Sequence, residues 1–233
     1  MWYRLRSHII GWFWTLILRL LAASWTKEYV GLQVLDDLLA ERRTAVIAFW
    51  HGKYVPLLVL LRTRKVRVVT TASKRGGIIA DMSRHFDYAV AQLPDHAPRR
   101  ALWLLRQTLR AAPAIAVAVD GPLGPHHVVK HGIIQVVARL GCPVLPVSVA
   151  ARRRWASAGR WDRMEIPLPF TRVCIAVGRM ITIPADVSAD ELSYWAERLA
   201  AEIDAATRLA EQRVGKYIEV RRTEEEPMPI RRS

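Results

Sequence analysis

Apolar and polar positions along this 233-residue chain fall into short alternating blocks. Runs at 44–49, 114–119, 144–149 and 173–177 are almost wholly apolar, and the run at 66–71 is rich in β-branched side chains and predicts a further strand. Runs of that length and make-up read as strands buried on both faces. A weaker run at 88–92 predicts one more short strand. Between them the apolar spacing lengthens to three and four residues and predicts helices at 53–61, 76–85, 98–110, 131–140 and 188–214. The helix at 98–110 opens on Pro98 and lines up Ala101, Leu104, Leu105 and Leu109 on one face. The helix at 131–140 is closed by Gly141 and Pro143, and Pro56 weakens the one at 53–61. Strands alternating with helices at this pitch predict an α/β fold: a mainly parallel central sheet flanked by helices.

The first 25 residues follow a different pattern. His8, Gly11, Thr15, Arg19, Ala22 and Thr26 recur every three or four residues, which places small and polar side chains on one stripe of a helix. The other positions, Ile9, Trp12, Phe13, Leu16, Ile17, Leu20 and Leu21 among them, form a broad apolar surface. Trp2, Tyr3, Trp14 and Trp25 add rings that favour a membrane–water interface. Arg19 near the middle disfavours a spanning helix and a cleaved signal segment. A half-embedded, in-plane helix fits best, beside the plainer reading of a helix docked on the protein's own core. The chain then divides into an N-terminal amphipathic membrane-anchoring helix at 1–27, an α/β domain at 28–215 and a charged, proline-bearing tail at 216–233 expected to be disordered.

Charge narrows the choice of partners. Lys and Arg number 35 against 21 Asp and Glu, a formal net charge of +14. A balance that basic suits a nucleic acid, an anionic lipid surface or an acidic carrier protein. Cys142 and Cys174 are too few and too far apart for a zinc site or a disulfide framework, and their apolar surroundings read as buried thiols. His126, His127 and His131 lack a cysteine or carboxylate at ligand spacing, so neither a metal nor another cofactor is expected.

In a parallel sheet the carboxyl ends of the strands open into the ligand crevice. Three segments fall there: Trp50-His51-Gly52, Ser73-Lys74-Arg75-Gly76-Gly77 and Asp120-Gly121-Pro122-Leu123-Gly124-Pro125. A neutral His51 can take a proton from a hydroxyl; it can equally be a hydrogen-bonded strand-end histidine. Asp120, ending an apolar run, needs a partner or a role: it orients an imidazole or a cation, or it serves the Asp-Gly-Pro turn. The glycines, Ser73, Lys74 and Arg75 suggest an anion cradle at a helix start, with Lys130 and Gly132 as a second contact. Arg152-Arg153-Arg154-Trp155 fits a lipid headgroup, a nucleic-acid backbone or a solvated loop.

Taken in order, Phe49-Trp50-His51-Gly52, Ser73 with its glycine loop, Asp120 to Pro125 with Val129-Lys130-His131-Gly132, Pro143 to Val147, and Trp161-Asp162-Arg163 with Ile166 to Phe170 resemble a bacterial family in the lysophospholipid acyltransferase superfamily, related to the glycerolipid and lipid A late acyltransferases. The resemblance covers roughly residues 45–184. It implies transfer of an acyl chain from a thioester, acyl-CoA or acyl carrier protein, to the hydroxyl of a lysophospholipid or glycolipid. His51 would be the general base and Asp120 its catalytic companion. Ser73, Lys74, Arg75, Gly76, Gly121, Pro122, Lys130 and Arg152 would bind substrate at an anionic membrane, with no nucleic acid involved. The expected place of work is the cytoplasmic face of the inner membrane. The chain departs from the pattern at Pro56, where a His-x-x-x-x-Asp motif would carry its aspartate. It departs again at Arg75 and Leu123, where the closer family usually has Asp and Arg. These departures make a non-catalytic, anionic-lipid-binding relative the alternative.

Overall fold

A computed structural model describes residues 2–94, 97–215 and 218–220, the side chains of 2–10, 98 and 218–220 excepted. The helices are α1 (Trp2–Ala23), α2 (Gln33–Ala40), α3 (Tyr54–Leu60), α4 (Lys74–His85), α5 (Pro98–Arg110), α6 (His131–Leu140) and α7 (Glu191–Val214). The strands are β1 (Thr26–Val30), β2 (Ala45–Phe49), β3 (Arg67–Thr71), β4 (Ala89–Leu93), β5 (Ala114–Ala118), β6 (Val144–Ala151), β7 (Arg153–Ala156), β8 (Glu165–Pro167), β9 (Arg172–Val177) and β10 (Ile218–Val220). Seven of them form one sheet in the order β1-β9-β6-β2-β5-β3-β4. Every neighbouring pair is parallel except β6 with β9. The α/β fold with a mainly parallel sheet is therefore as the apolar runs predict.

The central strands are apolar throughout because both faces are covered. Along β2, Ala45, Ile47 and Phe49 join a core under α1, α3 and α4. Val46, Ala48 and the following Trp50 join the opposite core under α5, α6 and α7. This is the two-residue period of a strand expressed as two separate cores. Cys142 and Cys174 are free and buried.

The N-terminal helix uses both of the faces that its periodicity marks. Its small and polar stripe faces the protein: Gly11, Thr15, Leu18 and Ala22 are buried. A Cβ on Gly11 would lie 3.0 Å from the Asp81 Cβ, so a glycine lets α1 and α4 approach closely. The Thr15 hydroxyl folds back onto the Gly11 carbonyl at 2.7 Å. The Arg19 guanidinium donates to the His85 carbonyl and lies over the Phe86 ring. The aromatic side looks outward, with Trp12 56%, Phe13 53% and Leu20 65% exposed. The side chains of Trp2, Tyr3, His8 and Ile9 lie outside the described residues. Since Leu18, Ala22 and Trp25 are part of the main core, the described side chains of this segment, from Gly11 on, pack onto the α/β body along one face. No helix among the described residues is long and apolar enough to cross a membrane.

A second, three-stranded sheet, β10-β7-β8, has no counterpart in the sequence reading. Its β7–β8 hairpin is antiparallel, and β10 pairs parallel to β7. Thus part of the expected tail, Ile218–Val220, is a strand; residues 216, 217 and 221–233 lie outside the described residues.

Candidate active site

The strand order places four loops side by side. β6, β2, β5 and β3 are consecutive and parallel. Their carboxyl ends carry, in that order, Arg152, His51, Asp120 and Ser73. The antiparallel β9 begins at this same edge, since the Arg152 N–H donates to the Arg172 carbonyl at 2.9 Å.

After β2 the chain makes one 3-10 turn, His51–Lys53. The side chain of His51 keeps 21% of its surface exposed. Its Nε2 faces the Asp162 Oδ2 across 3.8 Å. Its Nδ1 is buried without a hydrogen-bond partner among the described residues. The rings of Trp161 and Tyr54 lie 5.4 and 5.6 Å from the imidazole, centroid to centroid. Burial pushes the pKa of His51 down, the Asp162 carboxylate pulls it up, and Arg160 pushes it down. The net effect is a lowered value, so the imidazole is neutral at pH 7 and able to accept a proton.

Asp120 is fully buried at the end of β5 and acts on the backbone. Its Oδ1 accepts the His51 main-chain N–H at 2.9 Å, and the carboxylate also takes N–H groups from itself and His127. It therefore ties the His51 turn to the loop after β5 and is hydrogen-bonded to the main chain of His51, not to its imidazole. Burial raises its pKa to about 6, against the pull of those N–H groups and with help from the Asp162 charge. Its Oδ2 is buried with no partner among the described residues.

The loop after β5 is held from several sides. Gly121 and Gly124 have φ of 72°, a region open to glycine at no steric cost. A Cβ on Gly124 would meet the Trp161 ring at 2.7 Å. Lys130 donates to the Gly124 carbonyl, so its charge closes this loop. His127 stacks on Trp50, whose Nε1 donates to Asp204 of α7 at 2.8 Å. In this loop Gly121 is half-buried and Pro122 is exposed.

The cradle expected at 73–77 is already occupied by its own bonds. Ser73 caps α4, its Oγ accepting the Gly76 N–H at 3.0 Å, as N-cap serines do. The Gly77 N–H goes to the Ser73 carbonyl at 2.8 Å. A Cβ on Gly76 would sit 2.1 Å from the Thr71 carbonyl oxygen, which accounts for that glycine by packing. What remains for an anion at this loop is the exposed pair Lys74 and Arg75. The basic run at 152–154 also divides. Arg152 and Arg153 are exposed, whereas Arg154 is buried, with Nε 3.3 Å from Glu165. The same carboxylate holds the buried Lys53 at 2.7 Å.

Asp162 is the residue that the sequence reading left without a role. It is 1% exposed and sits in the loop between β7 and β8. Arg160 donates to both its oxygens, at 2.8 and 2.7 Å. Burial raises the pKa of Asp162, but the Arg160 guanidinium, the nearby imidazole and a backbone N–H outweigh it and hold the group ionised. Among the described residues no group of three or more His, Cys, Asp or Glu is placed to hold a metal.

No family model matches the chain. A stretch of 72 residues is 35% identical to an uncharacterized protein of Rickettsia prowazekii, covering 31% of this chain and about a third (33%) of that protein's length.

Proposed function

We propose that the protein is a membrane-associated acyltransferase, moving a fatty acyl chain from a thioester donor, acyl-CoA or acyl carrier protein, to a lipid hydroxyl. The acceptor would be a lysophospholipid or glycolipid. The observation that carries this reading is a neutral histidine, with part of its side chain exposed, at the carboxyl end of a central parallel strand and with its Nε2 facing a buried carboxylate.

In the proposed reaction His51 takes the proton of the acceptor hydroxyl as the oxygen attacks the thioester carbonyl. The carbonyl oxygen gains negative charge in a tetrahedral intermediate. Its collapse breaks the C–S bond, and the departing sulfur receives the proton from the His51 imidazolium. An ester and a free thiol result, with no metal and no covalent enzyme intermediate called upon. Lys74, Arg75 and Arg152 supply positive charge for a phosphate on the acceptor or donor. The exposed aromatic side of α1 lies in the headgroup region of the membrane, and a net charge of +14 favours an anionic leaflet. The proposed location is the cytoplasmic face of the inner membrane.

The test is a purified assay with thioester donor and lysolipid. His51→Ala should cut turnover about 10²–10⁴-fold; wild-type activity in that variant overturns the reading. The alternative, an anionic-lipid-binding relative without turnover, draws on Pro56, Arg75 and Leu123. Tight lipid binding with no product from any thioester would favour it.

A further inference from the structure

We infer that Asp162, delivered by the β7–β8 hairpin, is the positioning residue that orients the His51 imidazole. This role for Asp162 rests on the acyl-transfer reading for what His51 does to a substrate; the pairing itself stands on geometry.

The hairpin and the His51 turn meet residue against residue. His51 faces Asp162. Gly52 packs so closely that a Cβ would lie 2.2 Å from the Asp162 carbonyl oxygen. The Lys53 ammonium binds Glu165 at 2.7 Å. The Tyr54 hydroxyl donates to the Met164 sulfur at 3.4 Å. Four consecutive residues, the three of the turn and Tyr54 at the start of α3, thus meet 162–165, and glycine at 52 lets the two backbones touch. A hairpin held that firmly fixes its carboxylate relative to the ring.

The competing carboxylates do not reach the imidazole. Asp120 is bound to main-chain N–H groups, and position 56 is a buried proline of α3. Asp162 is backed in turn by the two-pronged Arg160 contact, which holds it ionised and restrains its rotation. The charged and titratable groups facing His51 are then Asp162 and Arg160 from the hairpin loop, Tyr54 from α3, and Asp120 at the end of β5. Asp162 raises the basicity of the imidazole, and Arg160 lowers it. Opposite signs from two neighbours in one loop give a signature that a packing role would not produce.

The experiment compares Asp162→Asn and Arg160→Gln in the full chain in detergent micelles. Two readouts are used: NMR titration of the His51 ring and the acid limb of the kcat/KM pH profile. Asp162→Asn should move the His51 titration and the acid limb to lower pH and reduce kcat by about 10²–10⁴-fold with little change in KM. Arg160→Gln should move both to higher pH, because it removes the positive charge that opposes protonation of the ring. Movement of the His51 titration in the same direction in both variants, or in neither, overturns the inference. If the two shifts oppose each other while the wild type transfers no acyl group, the pairing holds and the acyl-transfer reading falls. If His51→Ala abolishes transfer but Asp162→Asn leaves rate and titration unchanged, the reading holds and the pairing falls.

Discussion

At the scale of single residues, Asp120 and Asp162 separate an anchoring carboxylate from one that faces the His51 ring. The folded pKa of Asp120, about 6, lies above the ordinary carboxylate value of 3.8. A raised carboxyl binds its proton more tightly when folded, so its contribution to stability is complete below about pH 4. That contribution is lost as pH rises through about 6. Asp120→Asn should therefore gain on the wild type over that interval in denaturant unfolding, and an identical pH slope in both proteins would contradict the burial argument. Gly52→Ala makes a different point, because its Cβ would strike a backbone oxygen at 2.2 Å. The hairpin must move away, and proposed acyl transfer should fall at least about 10-fold, as a displacement near 1 Å at a reacting centre produces or exceeds. His51 and Asp120 were legible because each ends an apolar run. Asp162 was not, because it lies in a loop of another sheet, far along the chain from the histidine it faces.

At the scale of elements, the same contrast separates strands that the pattern reveals from those it hides. β2, β5 and β6 are read directly, since strands covered on both faces must be apolar in sequence. β1, with the sequence Thr-Lys-Glu-Tyr-Val, is a half-exposed edge and carries no such run. β7 and β8 are short, with charged residues whose cost of burial is offset inside the cluster of Lys53, Arg154 and Glu165. α1 shows its periodicity directly: the small and polar stripe serves close helix packing and leaves the rings outside. Leu18→Ala, at 4% exposure, should cost about 2–5 kcal/mol in unfolding experiments. Leu20→Ala on the outer side should stay within about 0.5 kcal/mol. Replacing Trp12, Phe13 and Trp14 by serine should leave the fold intact and lower partitioning onto anionic vesicles in a flotation assay. Unchanged partitioning would remove this face from the proposed membrane contact.

At the scale of the whole molecule, the end of α1 and the candidate site share one end of the sheet. Phe170, 85% exposed with φ of 55°, has its N–H bound to Ser24 Oγ at 3.0 Å just beyond α1. It lies beside the start of β9, the same edge that carries His51. The excess of positive charge should make vesicle binding fall with added salt, while the aromatic side of α1 should leave a salt-resistant fraction that detergent releases. The strand order also sets a timetable. β1 is the edge strand, and its neighbour in the sheet is β9. At about 5–20 residues per second, translation needs roughly seven to thirty seconds to travel from one to the other. During that interval α1 can find α4, but the segment after it has no sheet to join. The amphipathic N-terminal helix of a nascent chain is thus on offer to a chaperone or a bilayer well before the domain beneath it can close.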